Sequence, residues 1–545
     1  MKKIVWLLLL LPFFGTAQKL KKADKATFNN LKKHIEFLAD DRLEGRRTGS
    51  NGEKLAYEYI SGEFASIGLL AKGDKGTFLQ SFEVNDGKKI NAGTLIIINS
   101  IDLKLEEDFF PFPFSPNAGS EAITAVSLNE KGSPWFVDLK ELIQSNANNP
   151  HFDWIEGIKE KAKEIADKGA TALMVYNSST TGDEPTFDAK MKGETTTIPV
   201  FYLTRKAVDK CLKDHSATLD IKFKTDLAPK IRYGHNVIGY IDNNAPNTII
   251  VGAHYDHLGY GEDKNSTYTG STPMVHNGAD DNASGTAALI EMGRKLKASK
   301  FRQNNYVFIA FSGEELGLFG SKYFVENPTF NFKTANYMIN MDMVGRLNDS
   351  SRALTVGGYG TSPVWGELIK PNNGSLTIKV DSSGSGPSDH TSFYRKDIPV
   401  LFFFTGVHHD YHKPSDDADK INYSGTLEIV KYAYDLIEQT GNKGKLSFTK
   451  TREPINTGKS NFKVTLGIMP DYTFSGNGVR ADGVTEGRPA AKAGLQAGDI
   501  ILQLGDFVCS DVQAYMTALS KFKKGDKTIV KYQRGNDVVE ATVTF

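Results

Sequence analysis

Five short polar clusters interrupt the apolar pattern between residues 254 and 412, and their side chains are of types that bind metal ions. The clusters are His254-Tyr255-Asp256, GADDNASG at 278–285, Ser312-Gly313-Glu314-Glu315, Asn340-Met341-Asp342 and Asp410-Tyr411-His412. A single histidine at a strand end is usually a packing residue, but five clusters of this kind are hard to explain in that way. Imidazole and carboxylate groups without thiolates favour zinc over calcium or an iron–sulfur cluster. The sequence therefore predicts a zinc site.

Apolar runs precede most of these clusters and predict the elements that position them. The strand candidates are residues 248–253, 306–311, 337–341 and 399–404. They are nearly continuous apolar runs, which are typical of parallel strands covered by helices on both faces. Helices are predicted at about 283–299 and 317–325. We therefore expect an α/β fold with a mostly parallel sheet, whose strands end at one common edge where ligands bind.

The motifs in these clusters resemble a known family. HYDH, GADDNASG, SGEELGLFGS, NMDMVG and DYHKPSD occur in this order in the chain. They resemble the co-catalytic zinc aminopeptidases of metallopeptidase family twenty-eight, which include bacterial leucyl aminopeptidases and glutamate carboxypeptidase II. The resemblance covers roughly residues 30–110 and 229–440 and implies the zinc exopeptidase fold.

The resemblance also implies a set of two zinc ions per chain and their ligands. His254, Asp281 and Asp342 would bind one zinc, and Asp281, Glu315 and His412 would bind the other. Asp281 would bridge the two ions, and the peptide bond that follows it would be cis. Asp280, beside the bridge, is expected not to bind metal.

The neighbouring acids Glu314 and Glu315 need separate roles, because adjacent side chains on an extended segment point in different directions. One can bind metal while the other faces the attacking water. Glu314 is the expected general base, which activates a water that bridges the metals and then passes the proton to the leaving amine. Asp256 is expected to accept a hydrogen bond from the far ring nitrogen of His254 and so fix its orientation.

Three histidines lie close together at 408, 409 and 412, and the sequence alone does not say which one binds metal. The family pattern places the ligand at His412. It also makes Tyr411 a candidate donor to the tetrahedral oxyanion. The segment SDHTSF at 388–393 matches a family segment that lines the substrate pocket, and a purely structural role is the alternative.

These residues predict a zinc-dependent metallo-aminopeptidase that removes N-terminal residues from peptides. A carboxypeptidase or a glutaminyl-cyclase-like enzyme could share the fold. The first would need an arginine patch, for which Arg346, Arg352 and Arg395 are candidates. A non-catalytic peptide-binding receptor is the alternative from another class, although such proteins lose metal ligands.

Composition and the first residues bear on location. Lys+Arg and Asp+Glu are both 65, so the chain has no net charge that would favour nucleic acid or an anionic membrane. Met1-Lys2-Lys3, a short apolar run and small residues before Gln18 predict a signal peptide at 1–17. No later segment is long and apolar enough to span a membrane. We expect a secreted protein, in a bacterial periplasm or outside the cell.

The two cysteines fit this location. Cys211 and Cys509 lie about 300 residues apart in different predicted domains, so we expect unpaired buried thiols. An exported protein without a disulfide framework suits a periplasm.

Two further units are predicted. Residues 112–228 contain the helix-to-strand pattern of Trp154–Lys168 and 172–176, followed by an Ile-Pro-Val strand, and resemble a protease-associated (PA) domain. A local α/β extension of the main domain is the alternative. The peptidase domain would then comprise 18–111 and 229–445.

The C-terminal part begins after a polar linker at 446–461. Residues 462–545 contain Leu466-Gly467-Ile468 and AAKAGLQAGDII at 490–501, which closely resemble a PDZ domain. Such a domain would bind the C-terminus of a peptide or protein as an added strand.

Overall fold

A computed structural model gives the structure of the chain. It describes residues 21–147, 152–179, 185–191, 194–451, 464–470, 474, 476–485 and 487–545. The predicted signal peptide lies outside the described residues, as does most of the predicted linker. Among the described residues, no helix combines the length and apolar character needed to cross a bilayer. Cys211 and Cys509 are both free thiols, the first half-buried and the second buried.

The chain forms twelve α-helices and twenty-four strands within the described residues. The helices are α1 (Lys22–Leu38), α2 (Asn51–Ile67), α3 (Leu139–Ser145), α4 (Trp154–Asp167), α5 (Arg205–Cys211), α6 (Gly285–Ala298), α7 (Phe319–Glu326), α8 (Pro363–Leu368), α9 (His390–Tyr394), α10 (Tyr423–Thr440), α11 (Pro489–Lys492) and α12 (Val512–Leu519). The strands are β1 (Leu70–Ala71), β2 (Leu79–Ile90), β3 (Leu95–Ile98), β4 (Ile101–Asp102), β5 (Phe109–Pro111), β6 (Gly119–Thr124), β7 (Pro134–Asp138), β8 (Ala172–Tyr176), β9 (Val200–Leu203), β10 (Leu219–Lys224), β11 (Leu227–Ile241), β12 (Thr248–His254), β13 (Asn305–Phe311), β14 (Ala335–Met341), β15 (Ala353–Gly357), β16 (Asn372–Asn373), β17 (Leu376–Val380), β18 (Val400–Phe404), β19 (Ile468–Pro470), β20 (Val479–Val484), β21 (Ile500–Leu504), β22 (Phe507–Val508), β23 (Lys527–Arg534) and β24 (Asp537–Thr544).

Contacts divide the chain into two compact units. One comprises residues up to Ser81 together with His235–Glu453, and the other comprises Phe82–Gly234 together with Pro454–Phe545. The first break falls at residue 82, whereas the sequence placed the start of the insert at 112. The reason is that β3 pairs with β10 in a sheet of the insert, so the residues before 112 join that sheet.

The first unit is built on a ten-stranded mixed sheet of order β1-β11-β13-β12-β14-β18-β15-β17-β16, with β2 paired to β11. The central strands β13, β12, β14 and β18 are parallel, as the apolar runs predicted. The edges differ, because β11 runs antiparallel to β13 and β15 runs antiparallel to β18. The fold is therefore α/β with a parallel centre and antiparallel edges.

Burial on both faces explains the continuous apolar runs of the central strands. In β12, Ile249 and Val251 belong to the core beneath one set of helices, whereas Ile250 belongs to the core on the opposite face. Helices α1, α2, α6 and α10 pack with one another on the first face, and α7 and α9 pack together on the second. Each fully buried side chain of this size contributes about 1.5–3 kcal/mol, so the runs fix the strands that carry the site.

Helix α2 has well-defined ends. Ser50 accepts a hydrogen bond from the main-chain N–H of Glu53 at 3.3 Å, and the Glu53 carboxylate accepts one from Gly49 N at 2.7 Å. This reciprocal pattern satisfies free N–H groups at the helix start. Gly68 ends the helix with φ 80°, a left-handed conformation that glycine adopts without strain.

The second unit consists of the insert and the C-terminal part of the chain. Residues of the insert form a four-stranded sheet of order β4-β3-β10-β6 and another of order β5-β9-β8-β7, in which β7, β8 and β9 are parallel. Its interior consists of two apolar clusters of its own. That this insert is a PA domain stays a prediction. The C-terminal residues form a six-stranded sheet, β19-β20-β21-β23-β24 with β22 beside β21, together with α11 and α12.

Candidate metal centre

The polar clusters lie at the carboxyl ends of the central parallel strands. His254 is the last residue of β12, and Asp342 directly follows β14. Glu314 and Glu315 follow β13 after the short turn Ser312-Gly313. Asp281 lies in a π-type turn, Ala279–Ser284, that leads into α6. Strands paired side by side therefore bring side chains from distant parts of the sequence together.

A first group of ligand-type atoms is formed by His254, Asp281 and Asp342. His254 Nε2 lies 3.4 Å from Asp281 Oδ1 and 3.3 Å from Asp342 Oδ1. All three residues are buried. Asp342 Oδ1 has no hydrogen-bond partner among the described residues. A buried carboxylate oxygen in this state is costly unless a cation binds it.

A second group shares Asp281 with the first. His412 Nε2 lies 3.3 Å from Asp281 Oδ2 and 3.2 Å from Glu315 Oε2. The two oxygens of Asp281 thus face different histidines. The peptide bond between Asp281 and Asn282 is cis, in agreement with the family pattern.

The spacing of these atoms fits zinc. Zinc bonds to nitrogen and oxygen of about 2.0–2.2 Å in a tetrahedral arrangement place two ligand atoms about 3.3–3.5 Å apart. The four separations between the histidine nitrogens and the carboxylate oxygens are 3.4, 3.3, 3.3 and 3.2 Å. Imidazole and carboxylate are also the donor types that zinc accepts. The residues present therefore fit the metal.

The main chain around Asp281 is held by a neighbouring acid. Asp416 Oδ2 accepts hydrogen bonds from the N–H groups of Asp280 and Asp281, at 2.9 and 3.0 Å. The side chain of Asp280 points elsewhere, and it accepts from Gly345 N at 2.6 Å and from Ser284 Oγ at 3.0 Å. Asp280 thus has its own donors and lies outside both ligand groups.

Glu314 lies beside the first group without joining it. Its Oε2 is 3.9 Å from His254 Nε2, which is longer than the spacing within either group. Burial raises the pKa of Glu314 well above its usual range, and Glu315 and Asp342 add to this effect. A carboxylate with a raised pKa takes up a proton readily, which suits a general base.

The carboxylate of Asp256 accepts hydrogen bonds from two other segments near the site. Its Oδ1 accepts from Glu314 N at 3.2 Å, and its Oδ2 accepts from Thr48 Oγ1 at 3.0 Å. His254 Nδ1 lies 3.7 Å from Asp256 Oδ1 and 3.2 Å from the main-chain oxygen of Asp256. The carboxylate therefore lies beside the far nitrogen of the ring, while the shorter contact is to the main chain.

The three neighbouring histidines, His408, His409 and His412, have different surroundings in the structure. His409 is exposed, with its side chain 90% accessible. His408 Nε2 lies 3.1 Å from Asp280 Oδ2, outside the ligand groups. His412 alone of the three reaches Asp281 and Glu315.

Tyr411 lies at the edge of the second group. Its ring stacks on that of His412, with centroids 3.9 Å apart. Burial raises the pKa of its hydroxyl strongly, and the negative charges of Asp281 and Glu315 raise it further. The hydroxyl therefore stays protonated and can donate a hydrogen bond.

The sequence did not indicate a role for His257, although this residue is the second histidine of the HYDH motif. Its Nδ1 lies 2.7 Å from Glu315 Oε1, a hydrogen-bond distance that is shorter than the spacing of two zinc ligands. Burial lowers the pKa of His257 well below its usual value, so the ring is neutral. Its contact leaves Glu315 Oε2 facing His412. His257 thus orients a ligand-type carboxylate.

The fold and the site together define an α/β domain with a histidine–carboxylate centre at the carboxyl edge of its sheet. Residues 236–437 match the profile described as Peptidase family M28. Residues 450–545 match the profile described as PDZ domain, which confirms the prediction for the C-terminal part. The chain therefore has a region similar to the M28 peptidases, which we call the M28 domain, followed by a region similar to PDZ domains, which we call the PDZ domain.

Similar proteins include several named aminopeptidases. The chain is 29% identical over 293 residues to aminopeptidase YwaD of Bacillus subtilis, covering 51% of this chain and 58% of that protein. It is 29% identical over 209 residues to a probable leucine aminopeptidase of Arthroderma otae, covering 36% and 54%. It is 29% identical over 192 residues to leupeptin-inactivating enzyme 1 of Streptomyces exfoliatus, covering 34% and 39%. The alignments thus span little more than half of these relatives, or less.

Solved structures of similar proteins were also found. An aminopeptidase from Aneurinibacillus sp. strain AM-1 is 22% identical with a TM-score of 0.42, over 79% of this chain and 98% of that one. BSAP, a zinc aminopeptidase from Bacillus subtilis, is 20% identical with a TM-score of 0.42, over 77% and 98%.

Proposed function

We propose that the protein is a zinc-dependent aminopeptidase that binds two zinc ions and hydrolyses N-terminal residues from peptides. The observation that carries this proposal is Asp281, whose two oxygens face His254 and His412 at 3.4 and 3.3 Å. One carboxylate placed between two histidines has the geometry of a bridging ligand. The names of the relatives, which are aminopeptidases, support the same reaction.

In this proposal each zinc has three protein ligands. His254, Asp281 and Asp342 would hold one ion, and Asp281, Glu315 and His412 would hold the other. The bound ions would polarise the scissile carbonyl and make water more acidic. The count of two rests on the two groups of atoms, which share only Asp281.

Glu314 acts as the general base in the proposed reaction. It takes a proton from the attacking water and gives it to the leaving amine. The N–H of Glu314 is anchored on Asp256, which fixes the start of its side chain. Its raised pKa suits both transfers. Tyr411 is the proposed donor to the oxygen that becomes negatively charged when the carbonyl is attacked.

The alternatives find less support. A carboxypeptidase for acidic tails would need a patch of free arginines, but Arg352 pairs with Glu428, and Arg346 Nη2 donates to Asp410 at 2.8 Å, which leaves only Nη1 of Arg346 without a partner among the described residues. A glutaminyl-cyclase-like enzyme would use one metal, which leaves the shared geometry of Asp281 unexplained. A non-catalytic receptor would have no need for the whole set of ligand-type residues and Glu314.

The test of the proposed function combines metal analysis with paired substrates. Purified full-length protein is expected to contain about two zinc ions per chain. It should hydrolyse a peptide with a free N-terminus, chosen from a panel of aminoacyl chromogenic substrates and short peptides. The N-acetylated form of the same peptide should be hydrolysed at least roughly 10²-fold more slowly, since it cannot offer a charged amine. Equal rates on both forms would show an endopeptidase or carboxypeptidase instead.

We also propose that the protein is exported, to a periplasm or beyond the cell. The basis is the basic and apolar succession before Ala17-Gln18 in the sequence. Mass spectrometry of the protein from an exporting host should show a mature chain that begins near Gln18. A chain that retains Met1 would contradict this proposal.

The PDZ domain is the proposed site for a second kind of peptide. The Leu466-Gly467-Ile468 segment precedes and begins β19, where a PDZ domain receives a C-terminal carboxylate. The partner would be the C-terminus of a peptide or protein.

A further inference from the structure

Arg46 carries a positive charge in the interior of the first compact unit. Its side chain is fully buried. Its guanidinium donates from Nε to Tyr255 O at 2.7 Å, from Nη1 to Asn277 O at 2.6 Å and to Leu38 O, and from Nη2 to Gly278 O at 3.0 Å. Burial lowers the pKa of Arg46 to about 10, which still leaves the group charged at neutral pH.

The carbonyls that Arg46 binds belong to the two loops that carry ligand-type residues. Tyr255 lies between His254 and Asp256, and Gly278 lies three residues before Asp281. Within the sequence these loops are more than 20 residues apart, and Arg46 is about 200 residues from both. The planar guanidinium of Arg46 therefore connects the end of β12 to the turn that contains Asp281.

The main chain beside Arg46 makes further contacts with the same loops. Arg46 O accepts from His257 N at 3.3 Å, and Gly45 O accepts from Gly259 N at 3.1 Å. A side chain at Gly45 would have no room, because its Cβ would lie 2.6 Å from His276 O and 2.7 Å from Gly259 O. The turn is thus packed directly between the two loops.

The neighbouring side chains of Thr48 and Glu53 make further contacts, and Glu53 reaches the loop after β13, which carries Glu314 and Glu315. Thr48 Oγ1 donates to Asp256 Oδ2 at 3.0 Å. Glu53 Oε1 accepts from Ser312 Oγ at 2.7 Å and from Tyr255 Oη at 3.2 Å. Ser312 begins the turn that leads to Glu314 and Glu315. The segment from 45 to 53 therefore contacts the loops after β12 and β13 and the turn before α6.

We propose that Arg46, with Thr48 and Glu53, is the positioning element of the metal centre: it fixes the loops so that the zinc ligands are spaced correctly before zinc binds. We call these three residues the arginine clamp. The inference rests on the proposed zinc site but assigns a role to residues that touch neither metal nor substrate. Its basis is geometry, since the fork of the guanidinium reaches several carbonyls at fixed angles and a lysine ammonium cannot.

The test compares Arg46→Lys and Arg46→Met with wild type and with Arg42→Met. Arg42 is an exposed arginine four residues away, paired with Asp40 on the surface, and serves as the matched control. Zinc affinity is measured by chelator competition on folded full-length protein, with folding checked by circular dichroism. Both Arg46 variants are expected to bind zinc about 10- to 100-fold more weakly, the usual effect of losing an outer partner of a metal site. Arg42→Met should bind zinc as wild type does.

A spectroscopic readout separates positioning from general stability. Protein loaded with Co²⁺ reports its ligand geometry through visible absorption, and Arg46→Lys should shift or weaken these bands at equal folded fraction. If Arg46→Lys keeps wild-type zinc affinity and spectrum while Arg46→Met does not, only charge matters and the inference is wrong. If both variants lower the melting temperature but keep zinc affinity, the role is structural and the inference is also wrong.

If the Arg46 variants do not fold, Thr48→Val keeps the shape of the side chain and removes the donor to Asp256. It should weaken zinc binding by about 10-fold or more, the worth of one hydrogen bond to a charged group. Unchanged affinity would overturn the inference. If wild-type protein itself binds no zinc, the proposed function fails, which is a different result from equal binding by wild type and Arg46→Lys.

Discussion

The M28 domain and the PDZ domain surround their buried carboxylates differently. In the PDZ domain, Asp499 is the only buried acid among the residues whose burial the structure describes. Its two oxygens accept from Arg534 at 2.8 and 2.7 Å, and one also accepts from Gln496 N at 2.8 Å. In the M28 domain, Asp281 and Asp342 are buried acids that face the imidazole of His254 at 3.4 and 3.3 Å, and Asp342 Oδ1 has no hydrogen-bond partner among the described residues.

The difference separates a structural role from a functional one. A buried carboxylate with a full set of donors contributes to the stability of its domain. Buried carboxylates that face imidazoles and one another raise the free energy of the folded state unless a cation neutralises them. The M28 domain therefore places buried charges where a metal ion would neutralise them, whereas in the PDZ domain Arg534 balances the charge of Asp499. Three experiments examine this contrast.

The largest expected effect distinguishes Glu314 from Glu315. Glu314→Gln keeps the shape but cannot take up a proton, so kcat should fall at least roughly 10²–10⁴-fold while about two zinc ions remain. KM should change much less, because the lost interaction belongs mainly to the transition state. Glu315→Gln should lose zinc as well as activity. Full activity in Glu314→Gln, or zinc loss in it and not in Glu315→Gln, would reverse the assigned roles.

A smaller effect is expected for His257. His257→Ala removes the hydrogen bond to Glu315 Oε1, so the affinity for the zinc ion that Glu315 and His412 would hold should fall about 10- to 100-fold. Chelator competition measures this affinity. His409→Ala is the control, because that ring is exposed and lies outside the ligand groups. Equal affinities in the two variants would show that Glu315 does not need His257.

The smallest effect concerns stability after metal removal. Ligands that bind only the folded state stabilise it by RT ln(1 + [L]/Kd), about 2.7 kcal/mol when free zinc exceeds Kd 100-fold. Removing zinc with a chelator should therefore lower the melting temperature of the M28 domain by several degrees. The PDZ domain should melt at an unchanged temperature in the same calorimetric scan. A shift of both transitions would contradict the contrast between the domains.

The centre of the fold could be predicted from the sequence, but its edges could not. The runs at 248–253 and 306–311 are apolar at every position because β12 and β13 are buried on both faces. In strand β11 the residues that pair with β13, at 237–241, are also apolar and mostly buried, but the strand begins with a charged stretch that includes Lys230 and Arg232, and the run itself does not indicate an antiparallel direction. Its pairing with β13 depends on residues about 70 positions away, which local patterns do not record.

The same limit applies to the site. His254 and Asp342 could be recognised because each follows an apolar run directly. His257 and Arg46 lie in polar stretches where nothing distinguishes them from their neighbours. The role of His257 follows from its contact with Glu315, and that of Arg46 follows from its contacts with carbonyls about 200 residues away. Among the histidines at 408, 409 and 412, the sequence left the choice open, and only the folded loop brings His412 to Asp281.

The position of His254 at the end of β12 restricts where insertions and deletions can occur in this chain during evolution. Because successive side chains of a strand alternate between faces, one added residue inside β12 would turn His254 away from Asp281. The stretch between Leu258 and Asn277 has no such alternation to preserve, since it contains no strand. Insertions and deletions between the first histidine and the shared aspartate should therefore accumulate in that loop, but outside Asn265 and Thr267, which contact His412 and so help to place it.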